Sequence, residues 1–149
     1  MAWTVNMEKA LFLILNYQFY RIRINVQRVK KIFIADDDPD ILEILSLMLK
    51  MAGYETYAST NANDIFNCPA GLPDLILLDI WMSGIDGRDI CRQLKENERT
   101  KNIPVVFLSA NSRINEITEE YQARDFIAKP FEMDYLLKKV STILSGTTV

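Results

Sequence analysis

Short apolar runs alternate with amphipathic stretches along most of the chain. From Lys31 onward, runs typical of strands occupy residues 32–35, 54–58, 75–79, 104–109 and 125–128. Between them, apolar residues recur at helical spacing, which predicts helices over residues 39–52, 61–66, 88–97, 114–122 and 132–144. The run "LILLD" at 75–79 is apolar at every position before its aspartate, as is typical of a strand buried on both faces.

This alternation predicts the fold class. Parallel strands need crossover connections of about a dozen residues, usually helical, and the predicted helices have that length. We therefore expect an α/β fold, a doubly wound sheet of five parallel strands with five helices. A chain of 149 residues fits one domain, which we place at residues 31–146.

Residues 1–30 form a separate N-terminal extension. The run "ALFLIL" at 10–15 is too short to span a bilayer, and no small-residue cleavage site follows it. Residues 20–31 alternate polar and apolar positions, which predicts a strand with a basic face. Two interpretations stay open, an arm that touches a membrane or a partner and a poorly ordered tail. The second is favoured because chain ends are loosely held unless tied down.

Charge and composition narrow the function classes. The chain contains no histidine, which excludes histidine acid–base chemistry and histidine metal ligands. Its net charge is −3, although residues 1–31 carry six basic side chains and one acidic one. The acidic remainder argues against a nucleic-acid partner. The two cysteines are far apart in sequence and are typical of reduced thiols, so we expect a cytoplasmic protein.

Chemically active side chains stand where the predicted strands end. The first strand ends in Asp36 and Asp37, the third in Asp79, the fourth in Ser109 and the fifth in Lys129. Open α/β sheets bind ligands outside these carboxyl ends. Three neighbouring carboxylates would raise one another's pKa unless a cation neutralised them, and all-oxygen ligands favour Mg²⁺. A carboxylate beside Mg²⁺, an ammonium and a hydroxyl can accept a phosphoryl group.

The acidic run in "IFIADDDPDI" at 32–41 needs a second explanation for its later members. Asp38 directly precedes Pro39, a residue favoured at the first position of a helix, so we predict that Asp38 caps the helix. Asp40 is interpreted as first-turn charge, which the helix dipole favours.

Four motifs together resemble the receiver domain of bacterial two-component response regulators. They are "ADDDPDI", "PDLILLDIWMSGIDG", "VVFLSA" and "DFIAKPF", in that order, and the resemblance covers residues 31–145. It implies a flavodoxin-like sheet with strand order 2-1-3-4-5.

The resemblance also implies roles for the acidic residues. Asp79 would be the phosphoacceptor. Asp37 would bind Mg²⁺ directly and Asp36 through water, with Asp79 and the backbone carbonyl of Trp81 as further ligands.

The same resemblance implies a switch and a set of partners. Ser109 would be the switch hydroxyl, Lys129 the phosphoryl-binding lysine and Phe126 the aromatic switch residue. A histidine kinase or histidine phosphotransfer protein would donate the phosphoryl group. The domain would catalyse only its own phosphorylation and dephosphorylation, so it is not a turnover enzyme. Because no output domain follows in this sequence, we expect a single-domain regulator that acts on an unidentified output protein.

The sequence departs from the family pattern in three places. Ser83 stands where the family usually has proline, which we expect to loosen the loop after Asp79 without touching a ligand. The stretch from Ser109 to Lys129 is slightly short, which predicts a reduced fourth helix. Trp81 and Asn111 match positions that tune dephosphorylation in the family, and a bulky Trp81 predicts a long-lived phospho-form.

Two other functions stay open. A phosphohydrolase of the haloacid dehalogenase type would use Asp36 as its nucleophile with Asp38 beside it. That alternative lacks the expected Thr or Val at Asp40 and an acidic pair after Lys129. A receiver-fold adaptor that is never phosphorylated is the other alternative, and the intact set of acids and lysine argues against it.

Overall fold

The computed structural model describes residues 7–25, 28–110 and 114–146. The strands are β1 (Lys31–Ala35), β2 (Glu55–Ser59), β3 (Leu75–Asp79), β4 (Trp81–Met82), β5 (Ile85–Asp86), β6 (Val105–Ser109) and β7 (Asp125–Ala128). The α-helices are α1 (Met7–Asn25), α2 (Pro39–Met51), α3 (Gly87–Glu96), α4 (Ile114–Glu120) and α5 (Met133–Leu144). A 3₁₀ helix spans Ala62–Asn67.

Five strands form one parallel sheet in the order β2-β1-β3-β6-β7. This confirms the predicted flavodoxin-like order, since β4 and β5 form a separate antiparallel pair. The register matters for the site. Asp79 at the end of β3 is level with Leu108 on β6, and Ser109 is level with Ala128 on β7. The carboxyl ends of β1, β3, β6 and β7 therefore meet at one edge.

The core has two layers because side chains alternate across the sheet. On one face Phe33, Leu78 and Phe107 pack with Ile90 and Leu94 of α3. On the opposite face the strands present Ile34, Leu77 and Leu108 to α2 and α5. Every residue of β3 and β6 is buried. The sheet centre is thus a rigid support for the residues at its edge.

Helix α2 begins as predicted. The side chain of Asp38 accepts hydrogen bonds from the backbone N–H groups of Asp40 at 2.9 Å and Ile41 at 3.4 Å. Pro39 is the first helical residue. The prediction that Asp38 caps this helix is confirmed, and it separates Asp38 from its two acidic neighbours.

Two local predictions differ from the structure. The segment after β2 is a 3₁₀ helix rather than an α-helix, capped by the Asn61 side chain. The turn predicted after β3 contains the short β4–β5 pair, whose strands are only two residues each. Helix α4 has seven residues, in agreement with the predicted reduced fourth helix.

The strand predicted over residues 20–31 is wrong: among its described residues only Lys31, the first residue of β1, lies in a strand. Residues 20–25 belong to α1, a helix of 19 residues. A helix forms its backbone hydrogen bonds internally, whereas a strand needs a neighbouring strand to form them. No described strand pairs with this segment. Within the described residues, no helix is long and apolar enough to cross a membrane. The division into an extension at 1–30 and a domain at 31–146 stays a prediction.

Candidate functional site

Three carboxylates meet at the carboxyl edge of the sheet. Asp36 and Asp37 follow β1, and Asp79 ends β3. One carboxylate oxygen from each lies within 4.8 Å of the others. Asp36 and Asp79 are buried, and Asp37 is exposed. The predicted acidic cluster is therefore assembled by the strand order, across more than forty residues of sequence.

Lys129 bridges two of these carboxylates. Its Nζ lies 2.5 Å from Oδ2 of Asp36 and 3.1 Å from Oδ2 of Asp79. Burial alone would lower the pKa of Lys129, but the hydrogen bonds and charges of Asp36 and Asp79 outweigh it and raise the pKa. The ammonium therefore stays charged and eases the repulsion between the two acids. The peptide bond from Lys129 to Pro130 is cis.

Asp79 has an unusual electrostatic environment for a carboxyl group. Burial raises its pKa, Lys129 opposes that effect, and the charge of Asp36 adds to it, so that the net shift is upward. Its Oδ1 accepts a hydrogen bond from the backbone N–H of Trp81 at 3.2 Å. The Asp79 carboxyl is therefore held by the backbone N–H of Trp81, two residues later in the chain, and by Lys129, which follows β7.

Ser83 contacts the exposed carboxylate of the cluster. Its backbone N–H and its Oγ both donate to Oδ2 of Asp37, at 3.0 and 2.8 Å. These bonds lower the pKa of Asp37, with the Ser83 hydroxyl as the largest cause. The expectation that Ser83 touches no ligand residue was wrong. Proline at this position could make neither bond, so the departure adds a link between Asp37 and the loop after Asp79.

That loop is a compact hairpin, residues 81–86, which we call the acceptor hairpin. Gly84 has a φ of 77°, in the left-handed region that glycine adopts without steric cost. The Arg88 guanidinium lies over the Trp81 ring, 4.7 Å from its centroid, and pairs with the Asp86 carboxylate at 2.5 Å. Trp81 itself is 57% exposed. The hairpin is therefore connected to the start of α3 as well as to Asp37.

Ser109 ends β6, the strand next to that of Asp79, and Phe126 lies on β7, one strand further along the sheet. Ser109 is fully buried at the end of β6, and its carbonyl accepts the backbone N–H of Lys129 at 2.8 Å. Phe126 is partly buried on β7, three residues before Lys129. Its ring lies under Nζ of Lys139, 5.4 Å from the centroid. Phe126 is outside the acidic cluster, and Asn111 lies outside the described residues.

The donor set fits a divalent hard cation. The three carboxylate oxygens are close enough to share one ion, and within the described residues no sulfur or imidazole belongs to the group. Mg²⁺ prefers such oxygen ligands and commonly uses one or two protein carboxylates. The exposed Asp37 leaves the cluster open to solvent on one side, which allows an ion and a phosphoryl group to enter.

Comparison with known proteins decides the family. A family model described as the response regulator receiver domain matches residues 32–141. The chain belongs to the response regulator receiver family. It is 35% identical, over 120 residues, to the DNA-binding dual master transcriptional regulator RpaA of Synechocystis sp., with 78% of this chain and 50% of that protein covered.

Solved receiver structures agree with this assignment. A putative response regulator from Chloroflexus aurantiacus matches with a TM-score of 0.73 and 30% identity, over 79% of this chain and 99% of that one. TrrA of Thermotoga maritima, solved in complex with Mg²⁺–BeF, matches with a TM-score of 0.68 and 29% identity, covering 77% of this chain and 99% of that one. The chain spans about half the length of the curated relatives it matches.

Receiver domains are phosphoryl-accepting signalling modules that are phosphorylated by histidine kinases and bind Mg²⁺ at an acidic pocket. The sequence prediction of this family is confirmed. Sequence reasoning missed the contacts made by Ser83, Arg88 and Lys139. Each contact depends on how side chains are oriented in the folded structure, which the pattern of apolar and polar residues does not encode.

Proposed function

We propose that this protein accepts a phosphoryl group on Asp79 from a histidine kinase or a histidine phosphotransfer protein. The observation that carries the proposal is the bridge of Lys129 between Asp36 and Asp79, with Asp37 close enough to share a cation. A carboxylate is a weak nucleophile toward an anionic phosphoryl group unless fixed positive charge lies beside it. Lys129 supplies one such charge.

The reaction transfers the phosphoryl group between two covalent partners. An oxygen of Asp79 forms the new O–P bond while the P–N bond of the donor phosphohistidine breaks, and the imidazole leaves and takes up a proton. The product is an acyl phosphate. Deprotonated Asp79 attacks, Lys129 holds phosphoryl oxygens, and the Trp81 N–H keeps the acceptor carboxyl oriented.

Four residues would hold the metal ion. Asp37 and Asp79 would offer carboxylate oxygens, Trp81 its backbone carbonyl, and Asp36 would contribute through water. When bound, Mg²⁺ supplies positive charge to the phosphoryl oxygens. The domain promotes its own phosphorylation and dephosphorylation and is not a turnover enzyme.

Signalling then follows from local charge at the end of β6. The hydroxyl of Ser109 moves toward the phosphoryl group, and Phe126 repacks into the space released. Nζ of Lys139 lies over the Phe126 ring and donates a hydrogen bond to Oδ1 of Asp125 at 2.7 Å. Repacking of Phe126 therefore changes the charged surface of β7 and α5, which is the face offered to an output partner.

The hydrolase alternative fits the site less well. Its nucleophile would be Asp36, which is fully buried. Oδ2 of Asp36 is paired with Lys129, and Oδ1 accepts the backbone N–H of Asp38. Asp38 in turn caps α2 through its Oδ1. We therefore keep this alternative only as an outcome of the test below.

Protein contact and nucleic-acid binding are the two candidate outputs of this domain. The relative RpaA is named as DNA-binding, and this chain covers 50% of it. The absence of a nucleic-acid partner and the single-domain architecture therefore stay predictions from the sequence. We propose protein contact through the face of β7 and α5 as the output of this domain.

A fluorescence titration tests the proposal. The chain has two tryptophans, so Trp3→Phe leaves Trp81 as the sole reporter. Mg²⁺ and then beryllium fluoride, which mimics a phosphoryl group, should each change the Trp81 emission. Asp79→Asn should abolish the second response, whereas Asp40→Asn, an exposed helix acid, should leave both unchanged.

The alternatives give different results. An adaptor that is never phosphorylated would show no beryllium fluoride response in either protein. A hydrolase would turn over a phosphate ester in the Asp79→Asn variant and lose that activity in Asp36→Asn.

A further inference from the structure

Two contacts fasten the acceptor hairpin, and neither involves a reacting group. On one side Ser83 donates two hydrogen bonds to Asp37. On the other side the Arg88 guanidinium stacks on the Trp81 ring and donates hydrogen bonds to the Asp86 carboxylate. The hairpin between these fasteners carries the backbone N–H that bonds Asp79.

The first fastener joins a metal-ligand candidate to the hairpin. Both Ser83 donors bond Oδ2 of Asp37, and Oδ1 receives neither. Asp37 is exposed, so without these bonds its carboxylate would rotate freely in water. Partners of this kind orient metal-binding carboxylates, and their loss typically weakens metal affinity by about 10–100-fold.

The second fastener restrains the hairpin from the side of α3. Nε of Arg88 donates to both oxygens of Asp86, at 2.9 and 3.1 Å, and Nη2 donates at 2.5 Å. The same carboxylate caps α3 by accepting the Arg88 backbone N–H at 2.9 Å. Asp86 is directly level with Trp81 in the β4–β5 pair. The Asp86 carboxylate therefore fixes the guanidinium of Arg88 in the position where it stacks on the Trp81 ring.

We infer that Ser83 and Arg88 are positioning residues that preorganise the magnesium site by fixing the acceptor hairpin from both sides. The inference rests on the proposed function, since it concerns the cation held by Asp37, Asp79 and the Trp81 carbonyl. A ligand set that is already in position loses less conformational freedom when an ion binds. The fasteners thus set cation affinity without touching the cation.

Calorimetric titration of Mg²⁺ measures the effect on the full chain. Ser83→Ala and Arg88→Ala should each weaken Mg²⁺ binding by about ten-fold. Arg92→Ala is the matched control. Arg92 lies on the same helix, pairs with Asp89 at 2.7 Å and stacks on Tyr121 at 5.0 Å, and it acts on the hairpin residue Asp86 only as a more distant charge. Its loss should leave Mg²⁺ affinity unchanged.

A second readout needs no metal. Amide hydrogen exchange at Trp81 and Ser83 in metal-free protein should quicken in Ser83→Ala and in Arg88→Ala, and stay at the wild-type rate in Arg92→Ala. Arg88→Lys keeps the positive charge but cannot form the bidentate pair with Asp86. Its Mg²⁺ affinity should therefore lie between those of wild type and Arg88→Ala.

The outcomes separate the two proposals. Wild-type protein that binds no Mg²⁺ would overturn the proposed function itself. Wild-type binding with affinities in Ser83→Ala and Arg88→Ala within two-fold of Arg92→Ala would overturn only the role of the fasteners. Unchanged exchange at the two amides would contradict it as well.

Discussion

A β-carbon built on Gly87 would lie 2.2 Å from the backbone carbonyl oxygen of Asp79. The Gly87 N–H also donates to the carbonyl of Ile80 at 2.8 Å. The start of α3 is therefore packed directly against the residue that we propose as the phosphoacceptor, with no room for a side chain.

Gly87→Ala should destabilise the fold by about 3 kcal/mol, because the crowding is against backbone and cannot be relieved by a rotamer change. The helix propensity of alanine favours the substitution by about 1 kcal/mol and is too small to offset the clash. Chemical denaturation at neutral pH measures the difference.

Gly84→Ala provides the contrast. A β-carbon there meets open space, and only the positive φ opposes it. Its cost should be about 1 kcal/mol. Equal costs at the two glycines would show that close packing against Asp79 is not the constraint.

Asp79→Asn should stabilise the metal-free protein near neutral pH. The pKa of this carboxyl is raised above 3.8, so its charged form is less favourable in the folded state than in the unfolded one. That cost is present above the folded pKa and disappears below 3.8, where both states are protonated. The stabilisation should therefore shrink as pH falls, in denaturation curves recorded with a chelator. A gain that grows toward low pH would contradict the assigned direction.

Lys129→Met should destabilise the protein by about 3 kcal/mol, because it leaves the buried carboxylate of Asp36 without its ion partner. Added Mg²⁺ should recover part of this loss by supplying positive charge at the same place. Lys30→Met, which removes an exposed contact with Asp74, is the control and should cost less than about 1 kcal/mol. Thermal melts with and without Mg²⁺ compare the three proteins, and equal losses would argue against a special role for Lys129.

The phospho-form should be long-lived, and Trp81→Ala should shorten its lifetime. The bulky ring follows the acceptor by two residues and is held by Arg88, so we expect it to hinder the approach of water to the acyl phosphate. Following phosphate release from purified phosphorylated protein measures the lifetime. A wild-type half-life of seconds, or a variant with an unchanged one, would show that the ring gives no protection.

The sheet and its chemical edge could be predicted because they depend on long-range pattern. Continuous apolar runs define the buried strands β3 and β6, and the parallel order then brings Asp36, Asp79 and Lys129 to one place. Asp38 could be separated from its neighbours because Pro39 fixes where α2 begins.

The predictions fail in short segments, where more than one local structure fits the same residues. Alternation over residues 20–25 predicts a strand, yet a helix forms there because it needs no partner for its backbone hydrogen bonds. The family pattern indicates only that Ser83 replaces a proline, whereas its hydroxyl contact with Asp37 depends on the turn at Gly84. The stacking of Arg88 on Trp81 likewise requires the β4–β5 pair, which is too short to leave a pattern.

The central claim is that Asp79 accepts the phosphoryl group. Incubation of the full chain with a small-molecule phosphodonor and Mg²⁺, followed by intact mass measurement and peptide mapping, tests it directly. The account predicts a gain of one phosphoryl group on Asp79 that needs Mg²⁺ and is absent from folded Asp79→Asn. A phosphoryl group found on Asp36, or none on folded wild-type protein that binds Mg²⁺, would contradict it.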